Sequence, residues 1–230
     1  MESIDVSKLR TNNCRDFSRM FAGCETLKSI DVSDFLVGSS DWYPPMNDMF
    51  NGCTALQSLN LNGWDTGNVV NMQALFQDCS SLTSLDVSHF NTSNTLIFND
   101  MFSGCSSLEE LDVSHFDNQT CIDMTAMFDG CSKVKELDLS NFGYYLPYGP
   151  LQATSVNYLF YGCSALERIY VSKEWIHQYS DLDNGQGTMF VGCESIVGET
   201  GTTYDPTNVD FGMANAEGGY FTYKGVNVTI

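Results

Sequence analysis

Met101-Phe102-Ser103-Gly104-Cys105-Ser106-Ser107-Leu108-Glu109-Glu110-Leu111-Asp112-Val113-Ser114-His115-Phe116 is one copy of a pattern that recurs along almost the whole chain. Residues 127–142 read MFDGCSKVKELDLSNF and residues 20–35 read MFAGCETLKSIDVSDF. Variants begin at Met49, Leu75 and Leu159, and Met189-Phe190-Val191-Gly192-Cys193 is a last, incomplete copy. Cys53, Cys79, Cys105 and Cys131 follow one another at 26 residues. The steps from Cys24 to Cys53, Cys131 to Cys163 and Cys163 to Cys193 are longer by 3, 6 and 4 residues. A fixed period in this range implies a solenoid, in which each unit buries its apolar face only against its neighbours.

Within the unit, Leu82-x-x-Leu85-x-Val87 has the form of a leucine-rich-repeat strand. The same slots hold Leu27/Ile30/Val32, Leu56/Leu59/Leu61, Leu108/Leu111/Val113, Val134/Leu137/Leu139 and Leu166/Ile169/Val171. Leu-Asp-Val-Ser alternates with period two, which turns Leu and Val inward and Asp and Ser outward. Phe90, three residues after Val87, adds a further inward anchor. The other half of the unit has helical spacing: Val69, Met72, Leu75 and Phe76, then Cys121, Met124, Met127 and Phe128, then Cys14, Phe17, Met20 and Phe21. Gly23, Gly52, Gly104, Gly130, Gly162 and Gly192 close this half, where a helix end takes a residue of positive φ, and Asp78 stands in once.

The run MFSGCSSLEELDVSHFDNQTCIDM (101–124) resembles the repeat of BspA-like leucine-rich-repeat surface proteins, found also in mycoplasma surface lipoproteins. The tail, residues 192–205 and then Gly218-Gly219-Tyr220-Phe221-Thr222, resembles the closing segment of many bacterial members. The resemblance implies an extracellular or surface-attached, adhesin-like binding protein with no catalytic residues to carry over. The expected fold is an α/β repeat. It is a right-handed leucine-rich-repeat solenoid over residues 1–193 with about seven units, a parallel β-sheet on one face and short helices on the other. Residues 194–230 form a closing segment, with Tyr220-Phe221-Thr222-Tyr223 and Val226-Asn227-Val228-Thr229 as a terminal hairpin.

Composition narrows the partners. Asp and Glu number 29 against 10 Lys and Arg, a formal charge of −19. That balance disfavours nucleic acid and anionic membrane surfaces, which require basic patches. It favours basic partners and weak calcium binding. No apolar run is long enough to cross a membrane as a helix. Seven of the nine cysteines share one repeat position. Equivalent cysteines on successive rungs point in parallel, poor geometry for a bridge, so a ladder of buried free thiols is expected. No cofactor motif is present. Met1-x-x-Ile4-x-Val6-x-x-Leu9 is a bare strand half. The chain is therefore read as a segment of a longer protein, with Ile4 and Val6 exposed to end-to-end self-association.

Three groups of residues are candidate sites. The outward column Asp5, Asp31, Asn60, Asp86, Asp112, Asp138 stacks carboxylates about 4.8 Å apart. Asp86, Asp112 and Asp138, with Glu110 and Glu136 beside them, either attract a cation or basic segment or form a solvated face bonded to Ser88, Ser114 and Ser140. The insertions concentrate aromatic residues: Trp42 and Tyr43; Tyr144, Tyr145 and Tyr148; Trp175 and Tyr179. These rings either offer stacking area to a partner or close a lengthened core. His89 and His115 occupy one position on adjacent rungs, as a shared metal site or a repeated surface residue. Nothing has the form of a nucleophile–base arrangement. The function expected is a non-enzymatic surface module that binds a protein or glycan of a host or bacterial surface. The alternative is a passive spacer within a larger surface protein.

Overall fold

A computed structural model describes residues 2–37, 44–118, 120–142, 155–172 and 188–224. The units stack as rungs. Their strand halves include β1 (Ser29–Asp31), β2 (Ser58–Asn60), β3 (Glu136–Leu139) and β4 (Arg168–Val171), and β5 (Phe221–Tyr223) lies in the closing segment. All pairings between named strands are parallel. Ile30 faces Leu59, Asp31 faces Asn60, Leu137 faces Ile169, Asp138 faces Tyr170, and Tyr170 faces Thr222. Sequence-equivalent slots therefore lie side by side, as the repeat requires. The inward Leu, Ile and Val slots are buried in every unit from Leu27 onward, with Leu59 only partly so. Phe35, Trp64, Phe90, Phe116 and Phe142 are buried anchors.

Two expectations need correction. The sheet is not continuous: a two-stranded sheet β1-β2 and a three-stranded sheet β3-β4-β5 are separated by the rungs of Leu85 and Leu111. Across those two rungs the strand side supplies one backbone bond, Glu109 N to Thr83 O at 3.4 Å. The short helices are also replaced. Residues 69–79 and their equivalents form chains of turns, and the one helical element among the described residues is a 3-10 turn at Phe211–Met213.

The backbone explains the substitution. The N–H groups of Met72, Ala74, Phe76 and Asp78 donate to Ile97, Asn99, Met101 and Ser103 of the next rung at 2.7–3.0 Å. The intervening N–H groups of Leu75, Gln77 and Cys79 close turns onto carbonyls three residues back. Alternation of this kind needs left-handed residues. Ala74 (φ 52°) and Asp78 (φ 58°) supply them here, Asp100 (58°) and Gly104 (73°) one rung on, Ala126 (54°) and Gly130 (69°) after that. A helix would turn every donor back along its own rung. The apolar spacing cannot separate the two, since both bury Met72, Leu75 and Phe76. The glycine column does have the positive φ expected of it, and Asp78 shares it.

Side-chain ladders follow from the stacking. Phe21, Phe50, Phe76, Phe102, Phe128, Phe160 and Phe190 stack face to face, with centroids 5.4–6.0 Å apart and planes within 19°. Tyr220 and Phe221 meet Phe190 edge-on at 5.1 and 5.8 Å and end the column. Thr66 and Thr92 stand in for backbone. Each hydroxyl donates to a carbonyl of the next rung and accepts from the same residue's N–H, Asn91 for one and Asp117 for the other.

All nine cysteines are thiols. The Sγ of Cys53, Cys79, Cys105, Cys131, Cys163 and Cys193 donates to the carbonyl of Phe21, Phe50, Phe76, Phe102, Phe128 and Phe160 at 3.0–3.3 Å. Each of those carbonyls points into the core and also accepts the N–H three residues on, so the thiol serves its second lone pair. Cysteine suits the slot because it is a small apolar group with a weak donor. Cys24 is the exposed member of the column. Burial pushes the Cys53 thiol up to about 11 and those of Cys105 and Cys193 up to about 12. Cys79, Cys131 and Cys163 are also raised by burial.

The closing segment adds β5 in parallel beside β4. The second arm of the expected hairpin, residues 226–229, lies outside the described residues. Val6, expected to be bare, is buried, while Ile4 and Leu9 are 40% and 52% exposed.

Phe102→Ala removes a ring stacked on both sides, and unfolding in urea should show a loss of about 3–5 kcal/mol. The buried thiols add a pH dependence. Their folded pKa values are raised, so above the ordinary thiol value of 9.0 the unfolded chain loses protons that the folded chain keeps. Stability from this source is therefore full below pH 9 and falls as pH rises toward 12, by up to about 1.4 kcal/mol per pH unit for each thiol. Urea midpoints measured in reductant at pH 8, 9 and 10 should decline steeply over the last step. A flat profile would contradict the buried ladder.

Candidate functional site

The outward face of the strands is built on one turn. At the end of the strand slot on each rung before β4 an Asp or Asn accepts the N–H of the residue two further on. Ser88 N and Oγ reach Asp86 Oδ1 at 3.0 and 2.6 Å, and Ser114 N and Oγ reach Asp112 Oδ1 at 3.0 and 2.7 Å. Ser140 N reaches Asp138 Oδ1 at 3.0 Å, and Asn62 N reaches Asn60 Oδ1 at 3.1 Å. This is the Asx turn, which these residues favour for that reason. The Ser88 and Ser114 hydrogen bonds hold Asp86 and Asp112 below the usual carboxylate range. For Asp138 burial pushes upward, but Lys224 and Ser140 outweigh it and the carboxyl is also lowered. The column thus has a structural duty, one oxygen per Asp fixing the turn.

The column does not end in another Asp. On β4 the slot beside Asp138 holds Tyr170. A groove of about 830 Å³ opens at this break. Asp112, Asp138 and Tyr170 line it, with Glu110 and Glu136 on the same outward face and Lys224 at its margin. Lys133, Lys135 and Glu109 add to the rim. Tyr170 is half-buried, and its hydroxyl lies 3.4 Å from Glu136 Oε1. Lys224 follows β5, and its N–H donates to Val171 O at 3.0 Å. Its ammonium meets Asp138 Oδ2 and sits 5.7 Å from the centroid of the Tyr170 ring. Hydrogen bonding to Asp138 raises the Lys224 pKa, so the ammonium stays charged.

The groove unites two of the sequence candidates, Asp112 and Asp138, and leaves out Asp86. Tyr144, Tyr145, Tyr148, Trp175 and Tyr179 lie outside the described residues, as do Trp42 and Tyr43. Sequence reasoning missed Tyr170 and Lys224. Tyr170 had a signal, since it interrupts the Asp column in a slot the repeat defines. Lys224 had none, because it reaches Asp138 across 86 residues through the pairing of β5. His89 and His115 are pins within the stack. Their Nε2 atoms bond to Leu61 O and Val87 O at 3.0 and 2.9 Å, and their rings stand edge-on to Phe90 and Phe116. Among the described residues no three His, Cys, Asp or Glu side chains converge as a metal site would.

Solved structures that resemble this one include two leucine-rich repeat proteins. The leucine-rich repeat protein of T. pallidum is 20% identical with a TM-score of 0.35, over 67% of this chain and 64% of that one. A leucine-rich repeat protein from Bacteroides ovatus is 15% identical, also with a TM-score of 0.35, over 67% of this chain and 57% of that one. The chain thus spans less than two thirds of the length of either. Comparison with curated proteins finds no match. A family model described as "Mycoplasma protein of unknown function, DUF285" matches residues 44–142 and 86–201, well over half of the sequence. The repeat that resembled BspA-like and mycoplasma surface proteins is the part so matched, and the chain belongs to this DUF285 family of Mycoplasma proteins.

Proposed function

We propose that the chain is a non-enzymatic, adhesin-like module of a cell surface that holds a protein or glycan partner on its strand face. The observation that carries this is the groove of about 830 Å³ where Tyr170 breaks the Asp column. Regular rungs offer small polar groups, which make poor anchors, whereas a tyrosine at the centre of a concave patch is a typical one. On this proposal the rungs form a right-handed leucine-rich-repeat solenoid, the hand that parallel crossovers take, and residues 194–230 close it. The two later insertions flank the Tyr170 rung along the chain, so Tyr144, Tyr145, Tyr148, Trp175 and Tyr179 remain candidate contacts on sequence grounds. Association through the exposed Ile4 and Leu9 belongs to the same proposal.

The groove's aspartates stay ionised, which suits binding a cation and argues against either one as a general acid. A general acid needs a raised carboxyl pKa, and Asp112 and Asp138 are lowered. The spacer alternative requires that nothing bind here.

Tyr170→Ala tests the proposal on an array of surface proteins and glycans. Partners of the unaltered chain should bind the variant at least tenfold more weakly, about 1.4 kcal/mol, with little change in melting temperature. A chain with no partner, or one whose partners ignore the substitution, is a spacer or binds elsewhere.

A further inference from the structure

The groove already holds a cation. Lys224 comes from the closing segment, yet its ammonium lies against Asp138 and over the face of Tyr170. Its side chain is 52% exposed. The Asp138 side chain is 19% exposed, so its carboxylate needs a cationic partner, while the lysine end of the pair is open to water and can be exchanged for another cation that keeps the carboxylate paired. The cradle it fills has the three parts that favour Lys or Arg: a carboxylate, the negative face of an aromatic ring, and flanking acids that reject anions. One rung back, Asp112 repeats the carboxylate in the same Asx turn, and its Oδ2 has no hydrogen bond among the described residues. Glu110 and Glu136 stand beside these two. In all, five carboxylates and three amines line the groove, one of those amines being Lys224 itself.

Resting on the binding role proposed above, we propose that the partner of this groove is a protein segment bearing lysine or arginine, and that Lys224 is its resident competitor. A cationic side chain of the partner takes the place of the Lys224 ammonium on Asp138 and Tyr170, and a second cation meets Asp112. While Lys224 fills the cradle, the apparent affinity is reduced by the fraction of time the cradle is free. The contact therefore sets a threshold that only a segment with more than one cation passes. A mere latch for the closing segment would have the same contact and no such consequence.

The full chain titrated calorimetrically with a capped tetralysine peptide distinguishes the two. Lys224→Met keeps the apolar stem over the ring and removes the charge. If Lys224 holds the cradle nine-tenths of the time, this variant should bind tetralysine roughly tenfold more tightly. Asp138→Asn on that background preserves the Asx acceptor and should abolish the gain, which separates the cradle from general attraction to a chain of charge −19. Tetraglutamate should bind none of them. Unchanged or weaker tetralysine binding by Lys224→Met, with or without a lower melting temperature, overturns the inference in favour of a latch. Should Lys224→Met fail to fold, Asp138→Asn alone must weaken tetralysine binding several-fold, and no change overturns the inference. If tetralysine fails on every chain while Tyr170→Ala still loses an array partner, such as a neutral glycan, the groove stands as a binding site and only its cationic partner falls.

Discussion

The stack depends on the backbone of the turn side. Every second N–H between Met72 and Asp78 leaves its own rung for the next, and the same holds from Phe98 to Gly104. These bonds set rung spacing where the strand side does not, for the middle rungs have almost no strand pairing. The cost is a left-handed residue every fourth position. Glycine meets it in one column, with Asp78 standing in once, and Asp48, Ala74, Asp100 and Ala126 meet it in the other. A non-glycine residue there costs about 1–2 kcal/mol, offset by donors that all find carbonyls. The core columns inherit this spacing. Phenylalanine rings stack because their Cα atoms are held one rung apart, and each thiol reaches the carbonyl of the rung before because that carbonyl is turned inward.

Repetition also limits function. A residue in a repeated slot meets copies of itself, so its side chain is consumed by the ladder. Asp86 and Asp112 commit an oxygen to their Asx turns, and His89 and His115 cap carbonyls of the preceding rung. Chemistry that discriminates a partner arises where a slot is filled differently from its neighbours. Tyr170 beside Asp138 is such a place, and the closing segment brings Lys224 to it. The closing segment thus both covers the last ring of the stack, through Tyr220 and Phe221 against Phe190, and contributes Lys224 to the lining of the groove.

The acidic balance is distributed by the same logic. On the strand face Asp86 and Asp112 are stabilised by serine donors and stay charged. On the turn side Asp100 and Asp129 are raised, first by burial and then by neighbouring carboxylates. Local donors decide the direction, for at Asp48 on the turn side burial is outweighed by Asn51, Asn47 and Arg19 and the carboxyl is lowered.

By itself the sequence determined the rungs: the 26-residue period, the inward Leu and Val slots, the Phe anchors, the cysteine column and the positive φ at Gly104 were all legible. Each is a local or strictly periodic property, and stacking copies adds only register. Periodicity could not separate a helix from a chain of turns, because both bury Met72, Leu75 and Phe76. The choice lies in whether N–H groups bond within a rung or between rungs. Nor could it foresee the groove. Asp112 and Asp138 were legible as a column, and Tyr170 was visible as its interruption. The meeting of Tyr170 with Lys224 was decided by the tertiary structure alone. It requires the closing strand to pair in parallel beside β4, a contact between residues far apart in the chain that no repeat encodes.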